Sequence, residues 1–541
     1  MNPVDVRSPE RTPDAPGPEP GRRFPRTIVG GLIGLLSGAV AIGVAQLAAG
    51  VVGGASSPII AVGSSAIDAT PEWLKSFAIR TFGSHDKLAL LVGIDVLLAV
   101  AALVLGVLSV RRSLVGIVGL VGFGMVGALA AVSRPANGIG DAIPTVVGTA
   151  AGIGAFVLLR RSAGLDDVPA TEASAERSRN NPPQAPAFDR RRFLWTGVVA
   201  ASVAGISGRV GQLLVRRADA SASRAAVKIP SPVSPAPPTT AGADLHVQGL
   251  GPFITPNDVF YRVDTALFVP AVSADTWKFT LHGMVDREIA LDYQQLLARP
   301  MIERDITLTC VSNQVGGHYI GNARWIGAPL KDLLDEAGVN PGASQIVTRS
   351  ADGFTVGTPT AVAMDGRDAM LAVSMNGTPL PLEHGFPVRM IVPGLYGYVS
   401  ATKWIVDMEL TTFDAFDAYW VRRGWAQQAP IKTESRIDTP RSSSKVSAGE
   451  VAVAGVAWAQ HRGIERVEVR VDGGSWVAAE LGAQDSVDTW RQWIYRWTAT
   501  PGVHALSVRA SDATGALQQE TPRAPFPNGA TGDHTITVTV S

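Results

Sequence analysis

Four long apolar runs constrain the fold of the first third of this chain. They lie at roughly 27–50, 88–110, 113–133 and 142–160, and each is close to the roughly 20 residues that an α-helix needs to cross a bilayer. Their glycine content would weaken helices in water, whereas in lipid small residues let helices approach closely. The sequence therefore predicts an all-α transmembrane bundle, with four helices within residues 27–160.

Charged residues beside these runs predict their orientation. Residues 1–26 are rich in Pro, Arg, Asp and Glu and are expected to form a disordered cytoplasmic tail. The pairs Arg111-Arg112 and Arg160-Arg161 then also face the cytoplasm, which is the side of a membrane that basic residues prefer. Both ends of the four-helix unit are thus expected in the cytoplasm.

A fifth apolar segment follows a predicted cytoplasmic linker at 161–189. Three arginines at 190–192 lead into Phe-Leu and an apolar run, which is similar to a twin-arginine export signal at the start of a fifth transmembrane helix over 190–215. An anchor whose arginines follow only the positive-inside preference is an equally weighted alternative. Ala218-Asp219-Ala220 is a candidate cleavage site, and with or without cleavage residues from 216 onward are expected outside the cytoplasm.

Charge and cysteine content exclude several classes of protein. The chain has 47 basic and 47 acidic residues, so no overall field attracts nucleic acid. The single cysteine, Cys310, excludes a disulfide within the chain. None of the eight histidines falls inside a predicted membrane helix, and the sequence has no cysteine cluster, phosphate loop or dinucleotide fingerprint. We therefore expect no haem, no iron–sulfur cluster and no NAD.

The part of the chain beyond the membrane is predicted to contain two domains. A linker rich in Pro, Ser and Ala at 216–245 precedes short strands and brief helical stretches over 246–435, a mixture that predicts an α+β fold. Over 436–541 apolar and polar residues alternate between regularly spaced turns, which is typical of an all-β immunoglobulin-like sandwich. Tryptophans at 490, 493 and 497 are expected in a core or an interface.

Cys310 lies where a predicted strand, ending Thr307-Leu308-Thr309, enters a glycine-rich loop. Loops held by rigid strands commonly carry chemistry. A zinc site is disfavoured because it needs three or four protein ligands, and no second cysteine or cluster of histidines is present. Three alternatives remain: a small buried hydrophobe, a nucleophile, and a thiolate ligand to a metal whose other ligands come from a cofactor.

Six short blocks around and after Cys310 occur in a characteristic order and spacing. They are Thr307–Asn313, Ala323–Leu330, Met375–Gly377, His384–Arg389, Val392–Gly394 and Thr402–Trp404. Together they resemble the sulfite-oxidase superfamily of molybdopterin oxidoreductases, and the resemblance extends from about Leu250 to Ser541. It implies an α+β molybdopterin domain followed by a C-terminal domain through which family members form homodimers.

The resemblance also implies a cofactor and a set of site residues. Cys310 would be the catalytic thiolate ligand to molybdenum, whose other ligands are the pterin dithiolene and oxo or hydroxo groups. Arginine and lysine are natural partners of the pterin phosphate. The positions that the resemblance assigns to the molybdenum–molybdopterin cofactor are Tyr261, Arg262, Asp264, Asn313, Asp352, His384, Arg389, Ser400, Ala401, Thr402 and Lys403.

Several positions depart from the pattern of sulfite oxidases. The residues after the cysteine are Val311 to Val315, where those enzymes have Ala-Gly-Asn-Arg-Arg. Asp264 occupies the position of a histidine, and Val373 occupies that of a tyrosine. A doubly anionic substrate favours a cationic pocket, so these changes favour an S-oxide or N-oxide over sulfite. His318 could serve as an acid or base in this pocket, and a structural histidine is the alternative.

We therefore predict a multi-domain, multi-pass membrane protein with its catalytic domain on the extracytoplasmic side. It would transfer an oxygen atom to or from a small substrate and exchange electrons with a separate partner, either a haem protein or a quinone-linked subunit. One alternative is a sulfite dehydrogenase proper. A non-enzymatic alternative is a membrane scaffold that keeps the fold without the cofactor.

Overall fold

A computed structural model describes most of the chain. The described residues are 25–52, 56–71, 74, 77, 81, 86–133, 138–165, 190–217 and 220–541. Almost all of the predicted tail, most of the predicted linker at 161–189, and Ala218 and Asp219 of the candidate cleavage site lie outside this set. Two compact units result, one built from the long apolar helices and one that contains residues 220–541.

The first unit consists of long apolar helices. Among the described residues, the helices in this half of the chain are α1 (Arg26–Val52), α2 (Pro58–Ala69), α3 (Asp86–Ser109), α4 (Ser113–Val132), α5 (Ile143–Ser162) and α6 (Arg190–Arg217). Of these, α2 belongs to the second unit. All except α2 belong to the five segments, among the residues described, that are long and apolar enough to cross a membrane. The apolar runs of the sequence thus form the expected long helices.

Glycines bring these helices into backbone contact. A Cβ atom on Gly34 of α1 would lie 2.0 Å from the carbonyl oxygen of Ala102 in α3, and one on Gly148 of α5 would lie 2.4 Å from that of Ala41. Only glycine permits such close approach, which maximises van der Waals contact where lipid supplies no hydrophobic driving force. The glycine content therefore has a packing function in this bundle.

The α+β domain contains two five-stranded sheets. One has the order β2-β1-β10-β5-β6, and the other has the order β3-β4-β7-β8 with β9 paired to β7. The strands are β1 (Lys278–Gly283), β2 (Ile289–Asp292), β3 (Ile302–Thr309), β4 (Ile320–Pro329), β5 (Gln345–Ser350), β6 (Thr355–Pro359), β7 (Met370–Met375), β8 (Thr378–Pro379), β9 (Arg389–Ile391) and β10 (Ile405–Thr411).

Short helices connect and cover these sheets. They are α7 (Ser221–Ala226), α8 (Tyr293–Leu297), α9 (Leu330–Ala337) and α10 (Thr360–Ala363). The predicted helix at 330–337 is present because Leu330, Leu333 and Leu334 recur at helical spacing and are all buried, and it ends at Gly338 in the left-handed region. Sheets and helices share one continuous apolar core.

The C-terminal domain is a sandwich of two antiparallel-rich sheets, in the orders β11-β13-β17-β16 and β12-β19-β18-β14-β15. Its strands are β11 (Glu434–Thr439), β12 (Lys445–Val446), β13 (Gly449–Trp458), β14 (Ile464–Val471), β15 (Val477–Ala478), β16 (Glu480–Leu481), β17 (Arg491–Ala499), β18 (Gly502–Asp512) and β19 (His534–Val540). Trp493 and Trp497 lie in its core, whereas Trp490 packs into the core of the α+β domain. The predicted order of fold classes is confirmed.

Candidate active site

Cys310 is the first residue after β3. Its backbone N–H donates to the carbonyl oxygen of Tyr319, at a distance of 2.9 Å, just before β4 begins. The N–H of Asn313 donates to the carbonyl oxygen of Cys310 at 3.0 Å. These two bonds close the loop between paired strands and fix the half-buried thiol where the sheet ends. The sequence thus places its one cysteine on a rigid scaffold.

The Cys310 thiol is poorly suited to act as a free nucleophile. Burial raises its pKa, although hydrogen bonds with Ser312 and the charge of Lys403 act in the opposite direction. The thiolate is the reactive form, so a raised pKa reduces the reactive fraction at neutral pH. A bound metal ion would deprotonate the thiol without regard to this pKa. This environment therefore favours the metal-ligand alternative over the nucleophile.

Arg389 is a buried cationic side chain at the site. Its Nη1 donates to the carbonyl oxygen of His384 at 3.1 Å, and its guanidinium carbon lies 5.1 Å from the centre of the Trp325 ring. Burial lowers the pKa of Arg389 to about 10, so the side chain stays charged at neutral pH. Its Nε–H is buried and has no hydrogen-bond partner within the described part of the chain. Such a donor needs an acceptor that the protein itself does not provide.

His384 is a neutral hydrogen-bonding group beside this arginine. Its Nε2 lies 3.1 Å from the carbonyl oxygen of Asn257, and its ring contacts Phe260 edge-on. Burial and the charge of Arg389 lower the pKa of His384 to about 4. A neutral imidazole beside a carbonyl must carry its proton on Nε2, which leaves Nδ1 as an acceptor.

Lys403, Asp264 and Arg262 form a charge cluster. The Lys403 ammonium donates to a carboxylate oxygen of Asp264 at 2.7 Å, and the Arg262 Nε donates to the same oxygen at 2.8 Å. Burial lowers the pKa of Lys403 to about 8, while Asp264 opposes this change. Two cations thus share one nearly buried carboxylate, which reduces the net positive charge at this end of the site.

Asn313 and Tyr261 complete the surroundings of Cys310. The Asn313 Oδ1 accepts a hydrogen bond from the N–H of Tyr319, and its buried Nδ2 has no partner among the residues that the structure describes. Tyr261 is half-buried and stacks on Phe260 at 5.2 Å. Burial raises the pKa of Tyr261, and the charge of Cys310 adds to the increase, which places the phenol near the thiol.

The predicted residues 400–402 shape the loop rather than present free groups. The Ser400 hydroxyl donates to the carbonyl oxygens of Leu395 and Tyr396 at 3.0 and 3.1 Å. The Ala401 N–H donates to the carbonyl oxygen of Gly397, and the Thr402 hydroxyl bonds that of Thr348 at 2.5 Å. Their hydroxyl groups already have partners within the protein.

Asp352 lies in the turn between β5 and β6. Its Oδ1 accepts a hydrogen bond from the N–H of Phe354 at 3.2 Å, which stabilises the turn itself. The neighbouring N–H of Ala351 donates to the carbonyl oxygen of Trp404 at 2.9 Å. The turn therefore lies against the segment that carries Lys403, and the Asp352 carboxylate stabilises this turn.

Comparison with known proteins identifies the family. The model for the oxidoreductase molybdopterin binding domain matches residues 266–420, and that for the bacterial Ig domain matches residues 434–538. The uncharacterized oxidoreductase YuiH of Bacillus subtilis is 30% identical over 149 residues, which cover 28% of this chain and 72% of that protein. The chain belongs to the sulfite oxidase family of molybdopterin oxidoreductases.

Sulfite oxidases themselves are among the relatives. Mitochondrial sulfite oxidase of Homo sapiens is 30% identical over 303 residues, which cover 47% of this chain and 55% of that protein. Sulfite oxidase of Gallus gallus is 30% identical over 300 residues, which cover 47% of this chain and 64% of that protein. The chain thus spans little more than half the length of these curated relatives.

The site of this sulfite oxidase family member fits a molybdopterin cofactor. The Nε of Arg389 and the Nδ2 of Asn313 are buried donors without acceptors among the described residues, as an anionic, acceptor-rich ligand would require. The described residues contain no group of three or more His, Cys, Asp or Glu side chains that could hold a metal, so a metal at Cys310 would take its other ligands from the cofactor. The unpaired donors and the single thiol therefore both fit a molybdopterin cofactor.

His318 belongs to the loop that follows Cys310, where it lies near Arg436, and its role as an acid or base in the pocket stays a prediction. Its side chain is exposed, and its pKa is lowered by partial burial and then by Arg436. The adjacent Gly317 carbonyl oxygen accepts a hydrogen bond from the Arg436 Nη1 at 2.7 Å. The glycine turn thus directs this part of the loop toward the immunoglobulin-like domain, which favours the structural alternative.

Tyr396 is a neighbour of Cys310 that sequence reasoning missed. It is 3% exposed, and burial together with the charges of Glu434 and Cys310 raises its pKa. The signal was weak because Tyr396 and Tyr398 occur in a glycine-containing loop without a regular pattern. Only the fold brings this loop against the end of β3.

Proposed function

We propose that this chain is a membrane-anchored oxygen-atom transferase of the sulfite oxidase family, acting on a small S-oxide, N-oxide or sulfite-like compound. The observation that supports the proposal most directly is the buried, unsatisfied donor of Arg389, which interacts with Tyr261, a residue that also feels the charge of Cys310. Evolution rarely retains a buried donor without a partner, because it costs about 1–3 kcal/mol. A bound anionic cofactor would remove that cost.

Each residue around Cys310 would make a different contact with the cofactor. Cys310 would supply the thiolate ligand, and Arg389, Asn313 and Lys403 would donate hydrogen bonds to the pterin and its phosphate. His384, neutral at physiological pH, would bind without adding charge. Molybdenum–molybdopterin, when bound, supplies the two-electron redox chemistry that accompanies oxygen-atom transfer.

The charge of the pocket supports a weakly charged substrate. Asp264 offsets the two cations Lys403 and Arg262, and Val315 stands where sulfite oxidases carry an arginine. Fewer free cations reduce the binding of a dianion more than that of a neutral oxide. Sulfite remains the second candidate substrate because relatives at 30% identity are sulfite oxidases.

The membrane helices and the partners belong to the same proposal. Five apolar helices would anchor the catalytic part, which lies outside the cytoplasm if the basic residues face inward. Electrons would pass to or from a separate haem protein or quinone-linked subunit, and the C-terminal domain would form a homodimer. The redox partner and the homodimer are inferred from the family, and the orientation is inferred from the pattern of basic residues.

Steady-state assays on the full chain, purified with its cofactor, test the substrate. We expect turnover of at least one S-oxide or N-oxide with an artificial electron donor, and a lower kcat/KM for sulfite with an artificial acceptor. Molybdenum-replete protein that uses sulfite alone would favour the sulfite dehydrogenase alternative.

Metal analysis tests the site. We expect Cys310→Ser to lose bound molybdenum, and Arg389→Met to lower molybdenum occupancy on the order of tenfold. Gln314→Ala, an exposed position in the same loop, and Arg287→Met, whose side chain is 64% exposed, serve as matched controls with wild-type occupancy. Full occupancy in Cys310→Ser, or a folded wild-type protein without molybdenum, would contradict the proposal.

A further inference from the structure

The Met375–Gly377 block forms the tight turn between β7 and β8. Met375 pairs with Thr378 across this hairpin, so Asn376 and Gly377 form a two-residue connection, with φ angles of 51° and 75°. Asn-Gly is a preferred sequence where both connecting residues have positive φ, and glycine adopts such angles at least as readily as asparagine. The turn therefore explains the backbone of Asn376 but does not explain the contacts of its side chain.

The Asn376 side-chain amide bonds to segments outside its own turn. Its Oδ1 accepts a hydrogen bond from the backbone N–H of Arg324 in β4 at 2.9 Å. Its Nδ2 donates to the carbonyl oxygen of Thr255 at 2.9 Å and to the side-chain Oδ1 of Asn257 at 2.8 Å. Thr255 and Asn257 precede Asn376 by 121 and 119 residues in the chain. The amide therefore ties the distant segment 255–257 both to the hairpin and to β4.

The segment held by Asn376 contacts His384 directly. The carbonyl oxygen of Asn257 lies 3.1 Å from the Nε2 of His384. Phe260 follows in the same loop, and its ring centre lies 5.5 Å from that of His384, edge-on, and 5.2 Å from that of Tyr261, stacked. One loop thus makes two contacts with His384 and also carries Tyr261. Both of these residues are positions that we assign to the cofactor.

The hydrogen bond between His384 and Asn257 determines which ring nitrogen remains for a ligand. Because Nε2 donates its hydrogen to the Asn257 carbonyl oxygen, Nδ1 is left as the acceptor that can bind a group of the cofactor. Outer partners of this kind orient a ligand-contacting histidine and fix its tautomer. A shift of the 255–257 segment would therefore turn the imidazole ring or remove its partner.

We propose that Asn376 is a positioning residue for the cofactor site, because its amide holds the 255–257 segment and thereby fixes the orientation of His384. The inference rests on the proposed function, since this orientation matters only if His384 contacts the cofactor. Asn376 acts through Asn257 and is not itself a catalytic residue. An amide is needed at this position because it accepts a hydrogen bond from β4 and donates to the 255–257 segment at the same time.

Two variants of the full-length protein separate this role from that of the turn. Asn376→Gly keeps the positive φ that the hairpin needs and removes the three side-chain hydrogen bonds. Asn376→Asp keeps the shape of the side chain and the acceptor for Arg324, but it replaces the donor with an oxygen that faces two other acceptors. Asn340→Gly is the matched control, because its exposed side chain accepts the N–H of Gly342 at 2.9 Å within its own turn.

Metal analysis and hydrogen exchange of protein from molybdenum-replete cells give the first two readouts. Both Asn376 variants should lower molybdenum occupancy on the order of tenfold, whereas Asn340→Gly should match wild type. Backbone amides of residues 253–262 should exchange with deuterium faster in both variants, because the loop loses its tie to the hairpin. If one variant does not fold, the other still decides. Wild-type occupancy in a folded Asn376 variant would overturn the proposal.

A double-mutant cycle with His384→Ala distinguishes positioning from general stabilisation. His384→Ala should itself retain roughly a tenth of the molybdenum, so that a further tenfold loss stays measurable. If Asn376 acts through His384, adding Asn376→Gly to His384→Ala should cause little further loss. An equal fold loss in both backgrounds would overturn the proposal, because the effect would then be independent of His384. A folded wild-type protein without molybdenum would refute the proposed function and this inference with it, whereas additive losses from a loaded wild type refute the inference alone.

Discussion

Burial, more than neighbouring charge, sets the properties of the residues around Cys310. Loss of solvent is the largest cause of the lowered pKa values of Arg389, Lys403 and His384. Arg389 at about 10 and Lys403 at about 8 remain mainly cationic at neutral pH, whereas His384 at about 4 is neutral. The site therefore presents two positive donors and one neutral imidazole, a combination suited to an anionic ligand.

The lowered pKa of His384 makes the folded protein sensitive to acid. Its pKa is about 4 in the folded chain and about 6.5 in an unfolded one, so the unfolded state binds more protons between these values. The free energy of unfolding should therefore decrease as pH falls from about 6.5 to about 4, by on the order of 3 kcal/mol from this residue. Urea unfolding of the full chain, followed by tryptophan fluorescence at about pH 7 and about pH 4.5, measures the decrease.

His384→Asn should reduce this pH dependence. It should not abolish it, because burial also lowers the pKa of His534 to about 4. His246→Asn, at an 84% exposed side chain, is the matched control and should behave as wild type. An unchanged pH dependence in His384→Asn would show that His384 is already neutralised in the unfolded state or is protonated in the folded one.

Two kinds of element position the functional parts. The paired strands β3 and β4 carry Cys310 and its loop, and eight consecutive residue pairs from Ile302 to Thr309 set their register. In the membrane unit, glycines allow α1 to contact α3 and α5 at backbone distance. The strand register therefore determines the position of Cys310, whereas small residues determine how the membrane helices pack.

The contact between α1 and α3 predicts a specific destabilisation. Gly34→Leu should force the helices apart, because even a Cβ atom would lie 2.0 Å from the carbonyl oxygen of Ala102. We expect a cost of at least about 1–3 kcal/mol and a lower thermal unfolding midpoint of the full chain in detergent. Gly154→Leu, where an added Cβ meets nothing within 4 Å, is the control and should be close to neutral. Equal midpoints for both variants would contradict the close packing.

At the scale of the whole catalytic part, the immunoglobulin-like domain supports β3, the strand that directly precedes Cys310. The Gln460 Nε2 donates to the Thr307 carbonyl oxygen at 3.1 Å and to the Thr309 hydroxyl at 2.9 Å. The Trp490 N–H donates to the Thr307 hydroxyl at 2.8 Å. The second domain therefore contributes directly to the position of the thiol.

Removal of this support should affect the site from a distance. Gln460→Leu should lower the free energy of unfolding by about 1–3 kcal/mol, because it leaves the buried Thr307 carbonyl without a partner. It should also reduce molybdenum occupancy, measured by metal analysis. Gln484→Leu, which removes a hydrogen bond to Ser486 inside the immunoglobulin-like domain, is the control. Occupancy that falls equally in both variants would indicate general destabilisation instead.

Local sequence properties were sufficient to predict much of this architecture. The long helices, the helix at 330–337 and the sandwich follow from hydropathy and from periodicity, which depend on residues close together in the chain. The six sequence blocks that resemble the family predicted the molybdopterin domain and singled out Cys310. The roles of the individual site residues remain predictions.

Long-range packing settled what the sequence could not. The proximity of His318 to Arg436 and of Tyr396 to Cys310 involves segments that meet only after the strands pair and the two domains dock. Burial and electrostatic interaction depend on distance in space and on access to solvent. No local pattern encodes either quantity, so only the folded structure could reveal these neighbours.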